Sequence, residues 1–155
     1  MEQKTGENGG TINYSIYIDG SYRRSKNTSG IGVLWIKDGK VVYKYSKGFK
    51  GGTNNIAELI AIYVALCSIV KPINSLEIVS DSEYAIGSIT KDYWKPKKNI
   101  MLIDEIKNQL KLTQKLVMNP IKFRHTFGHS TDKYNNIVDS LAQEASLNYE
   151  ERGNS

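Results

Sequence analysis

Apolar side chains recur at every second position in Ile12, Tyr14, Ile16 and Ile18, with Asn13, Ser15, Tyr17 and Asp19 between them. That is the period of a strand with one buried face. It predicts a first strand ending at Asp19, followed by a polar loop over 20–29. Residues 31–36 and 40–46 read as two further strands joined by Asp38-Gly39, a dipeptide suited to a type I′ hairpin because glycine accepts positive φ. The period then lengthens. Residues 55–70 lack Gly and Pro and predict a helix stopped by Pro72. A short apolar strand over 76–80 ends at Asp81, and a short helix is expected over 82–89. A loop-like stretch over 91–98 precedes an amphipathic helix over 100–112, with Ile103, Ile106 and Leu110 on one face. A last strand over 121–126 follows Pro120, and a last helix covers 135–147. Three strands followed by alternating helix and strand predict an α/β layer fold on a mixed sheet.

Composition narrows the class. The 155 residues are 39% hydrophobic and 24% charged, in the range of one domain with a single core. The longest apolar run, from Ile56 to Leu66, is broken only by Glu58 and falls short of the roughly 20 residues a membrane helix needs. Nor does the polar start of the chain resemble a secretory signal. Cys67 is the only cysteine, which excludes internal disulfides and cysteine-built metal sites and makes a reducing, cytoplasmic setting the default expectation. Lys and Arg number 21 against 16 Asp and Glu, a net charge of +5 with a pI near 9.2. The excess favours a polyanionic partner.

Four carboxylates stand out. Glu58 is the single charge in its apolar run, and an unpaired buried carboxylate is costly; an exposed first-turn acid favoured by the helix dipole is its ordinary alternative. Asp19 and Asp81 each end an apolar strand, where open α/β sheets bind ligands. Asp81 serves equally as a helix cap or a ligand, and Asp19, before Gly20-Ser21, equally as a turn residue. Asp139 lies among Ile137, Val138 and Leu141 near the start of the last helix, where a surface acid favoured by the helix dipole is the ordinary alternative. Together, oxygen donors from two strand ends and two helices suit Mg²⁺ or Mn²⁺, and such a cluster can hold two ions for in-line phosphoryl chemistry. The lack of a Cys/His set argues against zinc. His129, in the loop before the last helix, can shuttle protons at a site it overhangs, with a solvated loop histidine without a role as the ordinary alternative. His125 falls inside a strand pattern and is assigned no chemistry.

Tyr17-Ile18-Asp19-Gly20-Ser21, Thr53-Asn54-Asn55-Ile56-Ala57-Glu58-Leu59, Ser80-Asp81-Ser82-Glu83-Tyr84, and Gly128-His129 followed by Asn135 and Asp139 resemble, in order and spacing, the motifs of type 1 ribonuclease H. The resemblance spans about 12–147 and implies a ribonuclease H-like, five-stranded mixed sheet of order 3-2-1-4-5 flanked by helices. It implies an endonuclease, dependent on Mg²⁺ or Mn²⁺ at a two-metal site, that cuts the RNA strand of RNA·DNA hybrids and leaves 5′-phosphate and 3′-hydroxyl ends. Asp19, Glu58, Asp81 and Asp139 match the family's metal-binding acids, and His129 its loop histidine. Thr53, Asn54 and Asn55 match positions that touch the hybrid backbone, and Gly20 and Ser21, beside the first acid, are counted with them. Short polar groups and helix-entry amides suit contacts to phosphates and 2′-hydroxyls. On this reading residues 1–11 form a disordered tail, 12–148 the catalytic domain and 149–155 a second tail, in a monomer without membrane contact.

The chain also departs from the family pattern. Tyr22-Arg23-Arg24-Ser25-Lys26-Asn27 replaces the Gly-Asn-Pro-Gly loop of many bacterial members, and Glu83 stands where they often have Gln. The basic handle of some members has a shorter candidate here in Trp94, Lys95, Lys97 and Lys98, with a solvated loop and a core-packed Trp94 as the alternative. Two other functions fit the composition: a different metal nuclease of this fold, such as an exonuclease or resolvase, and an inactive nucleic-acid-binding module. Ser21 counts against the exonuclease, which usually carries Asp-x-Glu, and retention of all four acids counts against the module.

Overall fold

The computed structural model describes residues 11–91, 95–127 and 132–150. Strands β1 (Asn13–Arg23), β2 (Thr28–Lys37) and β3 (Lys40–Lys50) are followed by α1 (Asn54–Cys67), β4 (Ser75–Ser80), α2 (Glu83–Thr90), α3 (Ile100–Gln114), β5 (Lys122–His125) and α4 (Lys133–Asn148). The strands form one sheet in the order β3-β2-β1-β4-β5. Pairing is antiparallel among the first three and parallel from β1 to β4 to β5. Asp38 and Gly39 both have positive φ, 51° and 86°, as a type I′ turn requires.

Central strand β2 is buried along its length except at Lys37, because the sheet is covered on both faces. Ile31, Val33 and Trp35 join Ile16, Ile18 and the apolar side of α1 in the larger core. Leu34 and Ile36 meet Tyr17, Val79 and Val138 on the opposite face. On that face α4 comes close because Gly30, Gly32 and Gly48 lie under it. A Cβ on Gly32 would sit 2.5 Å from the Val138 carbonyl oxygen, and one on Gly30 or Gly48 would overlap the carbonyl of Ala142 or Ala145. The far end of α4 is pinned by the β1–β2 turn: Lys26 Nζ donates to the Leu147 carbonyl at 2.6 Å, a cation at a helix C-terminus.

Several boundaries differ from the sequence-based expectation. Strand β1 continues past Asp19 to Arg23, and β2 begins at Thr28, so the expected loop shrinks to 24–27. Ladder pairing through Arg23↔Thr28 sustains the strand although its side chains there are polar. Helix α1 stops at Cys67, well before Pro72, because Ser68 closes it: the hydroxyl donates to the Ala65 carbonyl at 2.7 Å and accepts from the Trp35 indole at 2.8 Å. Helix α4 starts two residues earlier than expected, capped by the Asp132 carboxylate, which accepts from the Tyr134 and Asn135 amides.

Candidate active site

The parallel register between β1 and β4 ends at Tyr17↔Val79. Asp19 and Asp81 each lie two residues further along, so they emerge side by side where the two strands part. Asp19 remains within the β1–β2 ladder, whereas Asp81 stands on the turn between β4 and α2. Glu58 enters from α1, whose start is set by Thr53: its hydroxyl oxygen accepts from the Ile56 amide at 3.1 Å. At Gly20 the backbones of β1 and α1 touch, since a Cβ there would overlap Ala57 and Glu58. This approach brings Glu58 over the end of the sheet.

One carboxylate oxygen each from Asp19, Glu58 and Asp81 lies within 4.8 Å of the others. Asp19 is 4% and Glu58 9% exposed, and Glu58 Oε1 is buried without a hydrogen-bond partner among the described residues. Loss of water raises the carboxyl of Asp19 from 3.8 to about 8, with the charges of Asp81 and Asp139 adding to it. Burial likewise pushes Glu58 well up, helped by Asp19, and raises Asp81, helped by Asp139. The Gly20 amide donates to Asp19 Oδ1 at 2.9 Å, and the Gly20 backbone pulls Glu58 the other way. A buried cluster of like charges with an orphaned oxygen is a donor set fit for a hard divalent cation.

Residues 12–147 match the family model described as RNase H. The chain belongs to the ribonuclease H family. A ribonuclease H of Clostridium botulinum is 38% identical over 140 residues, covering 84% of this chain and 93% of that protein. The ribonuclease H of Chlorobium phaeovibrioides is 33% identical over 139 residues, covering 83% and 92%. The crystal structure of RNase H1 from Halobacterium salinarum superposes with a TM-score of 0.70 at 20% identity, covering 88% of this chain and 99% of that one, and so shares the ribonuclease H fold. The chain is thus a ribonuclease H enzyme of the type 1-like kind, with the expected sheet order 3-2-1-4-5.

Among the residues singled out in the sequence, Asp19, Glu58 and Asp81 converge. Asp139 stands beside them on α4, close enough to act on both aspartates, and Gln143 Nε2 donates to its two oxygens at 3.2 and 3.1 Å. Thr53, Asn54 and Asn55 are exposed at the start of α1, and Asn54 Oδ1 accepts from the Tyr22 amide at 2.9 Å. Ser21 is half-buried on β1. Lys95, Lys97 and Lys98 are exposed ahead of α3. His129 and Trp94 lie outside the described residues.

Sequence reading passed over two features of the ribonuclease H site. Gln143 sits one helical turn beyond Asp139, a spacing that would have flagged it. The packing role of Gly20 left only the signal of a glycine directly after a strand acid.

Proposed function

We propose that this ribonuclease H is a divalent-metal-dependent endonuclease that hydrolyses the RNA strand of RNA·DNA hybrids, leaving 5′-phosphate and 3′-hydroxyl ends. The observation that carries the reading is the convergence of Asp19, Glu58 and Asp81 within 4.8 Å, with Glu58 Oε1 buried and unpaired among the described residues. Asp19, Glu58, Asp81 and Asp139 would hold Mg²⁺ or Mn²⁺ at a two-metal site. When bound, such ions supply Lewis-acid stabilisation of developing charge and a water made nucleophilic near neutral pH.

The remaining work falls to the chain's own groups. The Gly20 amide orients Asp19 and the Gln143 amide orients Asp139. With Asn54 Oδ1 engaged by Tyr22, its Nδ2 is the end that donates to a ribose 2′-hydroxyl, the group that separates RNA from DNA. Gly20, Ser21, Thr53 and Asn55 flank it along the same backbone track. His129 holds and passes the proton of the leaving oxygen. Lys95, Lys97 and Lys98, with Trp94, take the phosphates of the DNA strand. The catalytic unit spans 12–148 and works as a cytoplasmic monomer. Among the described residues no helix is long and apolar enough to cross a membrane.

A gel assay on RNA·DNA, RNA·RNA, DNA·DNA and single-stranded RNA, with and without Mg²⁺, tests the reading. Loss of the RNA strand in the hybrid alone, and only with Mg²⁺, is the expected result. Equal cutting of plain duplex DNA would point to another metal nuclease, and no cutting to a binding module.

A further inference from the structure

The turn that carries Asp81 lies beyond the last step of the sheet, and a side chain from β5 reaches across to hold it. Pairing between β4 and β5 closes at Ser80↔His125. The Thr126 amide donates to the Ser80 carbonyl at 2.9 Å, the Ser82 amide to Ser80 Oγ at 3.0 Å, and the Ala85 amide to Ser82 Oγ at 3.1 Å. Each of these bonds fixes a neighbour of Asp81. His125 touches Asp81 itself, with Nε2 3.3 Å from the Asp81 carbonyl oxygen. A carbonyl only accepts, so Nε2 is the donor.

The imidazole is itself held. Phe127 meets it edge-on, with centroids 4.9 Å apart and planes at 80°. Phe127, two residues past the end of β5, is 75% exposed, a large apolar ring whose described contact is with this imidazole. Such a hold is needed at this acid above the other two. Asp19 is locked in a ladder and Glu58 in a helix, but Asp81 stands on a turn and is the carboxylate that mutual repulsion displaces most easily.

We propose that His125 is a positioning residue for the ribonuclease H reaction: its Nε2–H fixes the Asp81 main chain, and Phe127 keeps the imidazole in place, so that the Asp81 carboxylate stays beside Asp19 and Glu58. The inference rests on Asp81 as a metal ligand, as proposed above. Hydrogen-bonded support of a ligand is commonly worth about 10–100-fold in metal affinity or activity.

The test compares His125→Ala, His125→Gln, His125→Asn and Phe127→Ala, with Asp81→Asn in parallel. Two quantities are read: kcat and KM on an RNA·DNA hybrid, and the Mg²⁺ concentration giving half the metal-induced rise in thermal midpoint, which needs no turnover. His125→Ala should raise that concentration and lower kcat, each about tenfold, with KM for the hybrid unchanged. Glutamine carries its amide nitrogen at the reach of Nε2 and should restore most of both; asparagine carries it at the reach of Nδ1 and should not. Phe127→Ala, at an exposed position, should keep the fold and shift both quantities the same way by less. A His125→Ala variant with wild-type Mg²⁺ response, or asparagine restoring function as fully as glutamine, overturns the proposal. If His125→Ala fails to fold, the glutamine–asparagine difference decides alone. Asp81→Asn with an unaltered Mg²⁺ response would instead overturn the ligand reading beneath it.

Discussion

Asp19 and Gly32 face each other across the β1–β2 ladder, and Gly32 is where the backbone of α4 rests at Val138, next to Asp139. One pairing step thus links the acid on the first strand to the acid on the last helix. The distance between them is set by the absence of a side chain at Gly32.

Gly32→Ala should therefore cost stability and activity together. The added methyl meets the Val138 carbonyl oxygen at 2.5 Å, which α4 relieves only by lifting. Overpacking of this kind costs about 1–3 kcal/mol, and lifting α4 draws Asp139 from the site. Urea unfolding and hybrid turnover measure the two effects. A variant as stable and active as the parent would show that α4 is not seated as described.

Metal-free protein should lose stability as pH rises. The Asp19 carboxyl goes from 3.8 to about 8 on folding, so between those values the native state binds the proton that the unfolded chain has released. Its contribution is full below about pH 4 and is lost as pH rises through about 8. Glu58 and Asp81, also raised, act in the same direction. Thermal midpoints across this range, without and with saturating Mg²⁺, should diverge toward high pH, because the metal binds the ionised carboxylates. Parallel curves would contradict the clustered-acid account.

Asp19→Asn and Asp81→Asn should each lower turnover by at least about a hundredfold, the loss of several kcal/mol of charge stabilisation. Both should leave the metal-free fold as stable as the parent or more so, since one of several mutually repelling acids is gone. His129→Ala should slow turnover more mildly and keep the Mg²⁺-induced rise in midpoint. Turnover near the parental rate in either asparagine variant would remove that acid from the metal set.

Replacing Lys95, Lys97 and Lys98 together by Ala should weaken hybrid binding and flatten the slope of log K against log salt by up to about 3, one unit per lost phosphate contact. Turnover at saturating hybrid should hardly move, as expected for uniform binding. An unchanged slope and affinity would shift the search to Arg23 and Arg24. Lys26 is already engaged at the end of α4.

The acids were legible because each interrupts a pattern. Asp19 and Asp81 end apolar runs, and Glu58 is the one charge in its own, so hydrophobic periodicity alone locates them. Where structure depends on a distant partner, the pattern was silent. Ser21 and Arg23 carry no core-facing apolar signal, so the end of β1 reads as loop although β2 holds it by main-chain bonds. Ser68 ends α1 through Trp35, which comes from another strand. Gly30, Gly32 and Gly48 look like ordinary weak strand positions, and only the helix lying on them gives their reason. His125 was passed over because strand alternation says nothing about a turn reached from the side.

The glycine seat also fixes an order of events during synthesis. It is complete once β3 ends at Lys50, while the helix that fills it begins at Lys133. A chain leaving the ribosome therefore carries Asp19, Glu58 and Asp81 long before it carries Asp139, and domains of this kind close only when their sequence-distant contacts form. The unfinished polypeptide has the three converging acids without Asp139 beside them. Docking of the last helix on the glycine seat is what brings Asp139 beside the other three.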